Sequence, residues 1–191
     1  MCIRDRCEEA LKISRELGDR HFGGTWIGLL GEVAYGLGQL EDAHRQCEMA
    51  LEISQSLGAT QMAIRWHRDL GKIAVASAGY SLARGHYIEA LSTARLLEIK
   101  DISVIEACGE LLLQLDHAAE AARLLAATCA FSIAHNRSPS PGDQVRIEAT
   151  LADVRGRLGE DLFVAASESG RSLDWDSAVS LALESLESAV I

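Results

Sequence analysis

The sequence predicts an all-α protein, and three observations carry this prediction. Ala and Leu, which lose little side-chain freedom in a helix, are the most frequent residues, whereas aromatic residues make up only 5% of the chain. Both prolines, Pro139 and Pro141, lie in one short segment, so the chain before them can form uninterrupted helices and tight turns. The third observation is an internal repeat of about 40 residues, a length typical of two-helix repeat proteins.

Composition excludes several classes of function. The formal net charge of -10 repels a phosphate backbone, so we expect no direct contact with nucleic acid. The sequence has no apolar run of 18 residues and no secretion signal, so we expect no membrane contact and a cytoplasmic location. The five cysteines are odd in number and form no C-x-x-C pair, which is typical of reduced core thiols, and we expect no metal or other cofactor.

The first residues are not expected to belong to the fold. We interpret residues 1–6 as a cloning scar, because Met1 to Asp5 match one reading frame of a transposon mosaic-end adapter and Arg6 completes a split codon. A genuine start that matches by chance is the alternative. On the adapter interpretation the natural sequence begins near Cys7, and we expect the chain to be the C-terminal part of a longer protein.

Two unlike helices repeat as a pair. The segment from Cys7 to Gly18 recurs 40 residues later as Cys47 to Gly58, with Cys, Glu, Ala, Leu, Ile, Ser, Leu and Gly kept in place. The same offset relates four positions of the next helix: Trp26 and Trp66, Leu30 and Leu70, Gly31 and Gly71, Ala34 and Ala74. Glycine and alanine at a helix crossing allow a close approach, and a bulky residue on the facing helix fills the space.

The repeat resembles the tetratricopeptide pattern. In that pattern, a glycine in the first helix of each pair is followed by an Ala-x3-bulky-x2-Ala run in the second helix. The residues that fit it are Gly31 with Ala43, Cys47 and Ala50; Gly71 with Ala83, Tyr87 and Ala90; and, more weakly, Gly109 with Ala121, Leu125 and Thr128. The resemblance implies a right-handed α-solenoid of tetratricopeptide-type helical hairpins over residues 7–135. The repeat is longer than usual and has Trp-x3-Leu-Gly in place of Trp-x2-Leu-Gly, which is similar to maltose-regulator-like bacterial signalling proteins.

The predicted helices divide the chain into an array, a linker and a capping segment. They span residues 7–18, 20–37, 41–57, 60–78, 80–98, 102–114, 117–135, 143–158, 160–169 and 174–188. Gly18, Gly38 and Gly58 are expected to end helices in the left-handed conformation, and Asp101 and Asp174 are expected to cap helix starts. Residues 136–143, rich in Ser and Pro, are predicted to be a linker loop, and residues 144–191 to be C-terminal capping helices.

The C-terminal third carries a second resemblance, over residues 118–185. Its motifs are Ala121-Ala122-Arg123-Leu124-Leu125, Pro139-x-Pro141, Leu151-Ala152-x2-Arg155-x2-Leu158-Gly159-Glu160-x2-Phe163-x2-Ala166, Gly170-Arg171-x-Leu173 and Ala178-Val179-x2-Ala182-Leu183-Glu184. Together they resemble the common ending of multidomain bacterial signal-transduction ATPases, which are fused to LuxR-type DNA-binding domains, adenylate-cyclase domains or kinases. The resemblance implies a sensing or regulatory role and does not choose among the fused domains.

A basic stripe is the candidate partner-binding site. Arg65, Arg68 and Lys72 are spaced i, i+3 and i+7, so they share one face of a predicted helix and form a candidate clamp for a carboxylate or phosphate group. The groove positions that the tetratricopeptide resemblance implies add Glu32 and Tyr35 on the preceding groove helix and Glu106 and Glu110 on the following one. The more ordinary interpretation, which we favour, is that these carboxylates pair with the basic stripe across neighbouring helices.

The remaining chemistry-bearing residues have ordinary interpretations. Trp26 and Trp66 are expected to pack between hairpins because they are repeat equivalents, although Trp is also common at interface hot spots. Trp175 is interpreted either as a docking contact or as partly exposed filler against Phe163 and Val179. The six histidines form no H-E-x-x-H motif, and the sequence has no phosphate-binding loop and no G-x-S-x-G nucleophile motif. We therefore expect no enzymatic activity.

Two functions remain open at this stage. The first is a non-catalytic interaction module that binds a protein or peptide, or another domain of its own parent chain, on the concave face of the array. The second is a regulatory domain that binds a small effector and thereby controls an upstream ATPase, cyclase or DNA-binding domain.

Overall fold

The computed structural model describes residues 2–190, and within them it contains ten α-helices and no strand. The helices are α1 Ile3–Glu16, α2 Arg20–Gly36, α3 Leu40–Ser56, α4 Thr60–Ala76, α5 Tyr80–Leu96, α6 Ile102–Gln114, α7 Ala118–Ala134, α8 Pro141–Leu158, α9 Glu160–Arg171 and α10 Trp175–Ser188. All ten predicted helices are present, and consecutive helices pack on each other from α1 to α4 and again from α6 to α9. The prediction of an all-α fold is confirmed.

The chain divides into two compact units, Met1–Ala94 and Arg95–Ile191. The first contains α1 to α4 and most of α5, and the second contains α6 to α10. This division differs from the predicted array at 7–135, because α7 contacts α8, α9 and α10 as well as α6. The end of the predicted array and the predicted capping helices thus share one core.

The predicted crossing contacts recur in three helix pairs. A Cβ added at Gly31 would meet Cys47, one at Gly71 would overlap the ring of Tyr87, and one at Gly109 would meet Leu125. Each bulky partner lies 16 residues after its glycine and is almost fully buried. The register of the sequence repeat is therefore also the register of packing.

The two repeat-equivalent tryptophans of the first unit serve packing. Trp66 is fully buried, and its indole nitrogen donates to Ser54 Oγ at 3.2 Å. Trp26 packs, partly buried, against the same cluster of apolar side chains. In the second unit, Trp175 lies against Phe131 with ring centroids 5.7 Å apart.

Helix ends follow a regular spacing. Gly18, Gly38 and Gly58 have positive φ angles, as predicted, and so do four residues that are not glycine, namely Ala78, Glu98, Asp116 and Asn136. Asp101 accepts a hydrogen bond from the backbone N–H of Ser103, and Asp174 accepts one from that of Ser177, so both predicted caps are confirmed.

Two boundaries differ from the predicted domain limits. α1 begins at Ile3, so most of the segment interpreted as adapter-derived, residues 1–6, is helical. α8 begins at Pro141, so the last three residues of the predicted linker at 136–143 are helical. Proline is favoured at the first helical position because a backbone N–H there would have no partner within the helix, so its absence costs nothing. Ser140 caps this helix start. Within residues 2–190, no helix combines the length and hydrophobicity that a membrane span requires.

Candidate binding site

The first unit brings five of the seven predicted site residues together on α2 and α4. Glu32 lies on α2, and Arg65 on α4 holds it with Nη2 at 2.5 Å and Nε at 2.8 Å from Glu32 Oε1. Arg68 Nη2 lies 4.0 Å from the same oxygen. The expected pairing of a groove carboxylate with the basic stripe is therefore confirmed for Glu32.

A buried carboxylate, Asp69, lies inside the basic stripe and was not among the predicted site residues. Arg68 donates to Asp69 Oδ1 from Nε at 2.8 Å and from Nη2 at 2.7 Å. Asp69 Oδ2 accepts no hydrogen bond from any described residue, and Arg65 Nε lies 4.0 Å from it. The sequence did contain a signal, because Asp69 is four residues after Arg65 and so shares its helix face.

Burial raises the pKa of Asp69 to about 6. Arg68 opposes this shift by its charge and its hydrogen bonds, whereas the negative charge of Glu32 adds to it. We attribute the rise of this pKa to desolvation, since Asp69 is only 7% exposed and one of its carboxyl oxygens has no hydrogen-bond donor in the described chain. This site therefore carries a carboxyl group whose charge changes close to neutral pH.

A cavity of about 210 Å³ opens between α2, α3 and α4 at this cluster. It is lined by Glu32, Tyr35, Cys47, Arg68, Asp69, Lys72 and Ile73. Tyr35, at 39% exposed, lies at the solvent side, and Lys72 is half-buried. The lining thus combines two cations, two carboxyl groups, a phenol and an apolar wall, which can orient an anionic group beside a hydrogen-bond donor.

The cysteine that lines the cavity, Cys47, is not an activated nucleophile. Burial, together with the negative charges of Asp69 and Glu32, raises the pKa of the Cys47 thiol to about 12. The thiolate, which is the reactive form of cysteine, is therefore almost absent at neutral pH. The arrangement is suited to binding an anion, and Cys47 is not available as a nucleophile at neutral pH.

The other two predicted residues, Glu106 and Glu110, lie on α6 in the second unit. Both pair with Arg146 of α8: its Nη2 lies 2.5 Å from Glu106 Oε1, and its Nη1 donates to Glu110. The expectation that these carboxylates pair with the basic stripe is corrected here, because their cation comes from the C-terminal segment. The sequence pattern gave no indication of Arg146, since the groove positions were taken from the repeats alone.

Two histidines of the first unit, His67 on α4 and His86 on α5, also come together. Their Nδ1 atoms are 3.1 Å apart, and their ring centroids are 5.4 Å apart. Their spacing forms no pattern within one helix, because the two histidines are 19 residues apart on different helices. Within residues 2–190, no group of three or more His, Cys, Asp or Glu side chains is arranged to hold a metal ion.

Comparisons with known proteins add no family assignment. No protein-family model matches the sequence, and no curated protein is significantly similar to it.

Proposed function

We propose that this chain is a non-catalytic interaction domain whose α2–α4 surface binds a partner protein or peptide through a carboxylate group. We further propose that its hairpins form a right-handed α-solenoid of the tetratricopeptide type, and that it belongs to the regulatory region of a larger bacterial signalling ATPase or transcriptional regulator. The single observation that carries the binding proposal is the cavity lined by Arg68, Lys72 and the exposed Tyr35.

The recurrence of one packing contact supports the repeat part of this proposal. The same glycine-to-bulky contact joins α2 to α3, α4 to α5 and α6 to α7. In repeat proteins of this kind each hairpin contacts mainly its neighbours, which leaves one face of alternate helices open for recognition. α2 and α4 are such alternate helices, and the cavity lies on them.

The charges of the cavity support an anionic ligand group. Arg65 is occupied by Glu32, and Arg68 holds Asp69, so these two arginines are already positioned. A cation fixed by a neighbouring carboxylate loses little side-chain entropy when it binds a further anion. Lys72, one turn along α4, is the third cation of this surface and is half-buried.

The test is binding of a fluorescein-labelled ten-residue acidic peptide with a free C-terminal carboxylate, measured by fluorescence anisotropy. The same peptide with an amidated C-terminus serves as the ligand control. We expect Lys72→Ala and Tyr35→Ala each to weaken binding by about tenfold, the loss of roughly one charge-assisted hydrogen bond or one interface side chain. Lys12→Ala is the matched control, because Lys12 is an exposed lysine on α1 of the same unit.

Failure of the peptide to bind, or equal binding by Lys72→Ala and Lys12→Ala, would overturn the proposal. A second candidate function, sensing of a small effector, is favoured by the limited size of the cavity. It is tested by the melting temperature of the chain in the presence of small mono- and dicarboxylates. Stabilisation by such a compound, without peptide binding and lost in Lys72→Ala, would favour the sensor.

A further inference from the structure

His67 and His86 point their Nδ1 atoms at each other across the contact between α4 and α5. At 3.1 Å, the pair is a hydrogen bond in which one neutral ring donates through Nδ1–H and the other accepts with its Nδ1 lone pair. The rings are tilted by 47° and are not stacked, so the two nitrogens, rather than the ring faces, form the contact. Two potential ligand atoms therefore converge on one small region.

This separation matches that of two ligands on one metal ion. Two imidazole nitrogens bound to one Zn²⁺ at about 2.05 Å are roughly 2.9 Å apart at a right angle and roughly 3.3 Å apart at the tetrahedral angle. The observed 3.1 Å lies between these two values. To bind one ion, both rings must turn so that their Nδ1 lone pairs meet at a point beside the line that joins the two nitrogens.

We propose that His67 and His86 form a two-imidazole site for a divalent transition metal. Both rings are half-buried, so the site is accessible from solvent while α4 and α5 hold the rings in place. Because the described chain has no cluster of three such side chains, water completes the coordination and the ion is exchangeable. Imidazole ligands select Cu²⁺, Ni²⁺ and Zn²⁺ over Mg²⁺ and Ca²⁺, with Cu²⁺ bound most tightly.

The surroundings favour neutral rings beside negative charge. Burial lowers the pKa of His67, and the negative charge of Glu89 opposes this shift. Burial also lowers the pKa of His86, to about 4, and the nearby His67 and His44 contribute to that shift. A metal ion therefore does not compete with bound protons at neutral pH. The ring that donates through Nδ1 exchanges this proton for one on Nε2, so binding there releases no net proton.

The test is titration of the full chain with Zn²⁺, monitored by the ¹⁵N resonances of the imidazole nitrogens. The Cys2→Ser background removes an exposed thiol that would itself bind metal, and serine is also a competent helix cap. We expect the Nδ1 resonances of two of the six histidines to move with saturation at one ion per chain. The assignment of those two resonances to His67 and His86 needs no further substitution and is independent of any effect on folding.

Substitution provides the second arm, measured by calorimetric titration with Ni²⁺. His67→Gln and His86→Gln are each expected to lose at least about tenfold in affinity, the loss that follows removal of even an outer-shell partner. His135→Gln is the matched control, since His135 is an exposed histidine at the C-terminal end of α7. Unchanged Nδ1 resonances under excess Zn²⁺, or movement of other histidines only, would overturn the proposal, as would Ni²⁺ affinity equal in all four chains.

Discussion

Gly71 determines how closely α4 and α5 approach. A Cβ at this position would overlap the ring of Tyr87, which is 1% exposed and enclosed on all sides. We predict that Gly71→Ala lowers the free energy of unfolding by about 1 to 3 kcal/mol, because the ring or the helix must move to relieve the overlap. Urea denaturation followed by circular dichroism measures the change.

Gly85 provides the matched control on the facing helix. It is exposed on α5, and nothing lies within 4 Å of a Cβ built there. Gly85→Ala is therefore expected to raise the free energy of unfolding by about 1 kcal/mol through helix propensity alone. The same chemical change should thus have opposite signs at two sites, and equal signs would show that the crossing at Gly71 is looser than described.

Asp69 should make stability depend on pH in an unusual direction. Its pKa is raised from 3.8 to about 6 on folding, so between these values the native state holds a proton that the unfolded chain has released. The stabilisation that this bound proton adds to the free energy of unfolding is therefore present in full below pH 4 and is lost as pH rises towards 6. Above pH 6 the contribution of Asp69 no longer changes with pH. The contribution is measured as the difference in unfolding free energy between the wild type and Asp69→Asn over this pH range. A difference that does not change with pH, or that increases with pH, would contradict the shift.

At the scale of helices, the repeat made much of the fold predictable. The three helix-ending glycines and the contacts of Gly31, Gly71 and Gly109 could all be predicted, because short-range periodicity and glycine chemistry determine them. The left-handed conformation of Ala78 was not predicted, although it follows Gly58 by the same 20 residues that separate Gly38 from Gly58. Packing of the flanking helices holds these non-glycine positions against their own preference.

Ala78 thus ends a helix in a strained conformation, and a glycine at this position should stabilise the protein. The left-handed conformation costs an alanine about 1 to 2 kcal/mol, and a glycine avoids this cost. Part of the gain is offset because glycine is more flexible in the unfolded chain. We predict that Ala78→Gly raises the free energy of unfolding by about 0.5 to 1 kcal/mol. Ala152→Gly, on the exposed side of α8, is the control and should lower it by about 1 kcal/mol. Destabilisation by both substitutions in thermal melts would argue against the left-handed geometry at Ala78.

The candidate sites were less predictable than the helices. The Glu32–Arg65 pair follows from helix faces in adjacent repeats, but the pairing of Arg146 with Glu106 depends on how α8 returns to α6 after an irregular loop. The contact of His67 with His86 depends on the relative rotation of two helices, which a one-helix periodicity does not contain. Such long-range placement is determined by packing of the whole unit.

At the scale of the whole chain, most sites for trypsin are protected by helical structure. Of the 18 Lys and Arg residues, Lys100 and Arg137 are the two that lie between helices, and both are exposed. Cleavage requires local unfolding of the substrate backbone, so bonds inside packed helices are cut slowly. We predict that limited digestion by trypsin cuts first after Arg137 and Lys100, as read by mass spectrometry of the fragments. Early cleavage within α2 or α4 instead would show that the first unit is less stable than its packing implies.

The spacing of left-handed residues also restricts how a chain of this kind can lengthen. Gly18, Gly38 and Gly58 each end one helix and return the chain in the opposite direction, 20 residues at a time. Insertion of a single such segment by recombination would reverse the polarity of every helix after it and turn their buried sides towards solvent. Insertion of two such segments restores both the polarity of the later helices and the orientation of their buried sides. The smallest tolerated duplication or deletion is therefore a pair of helices.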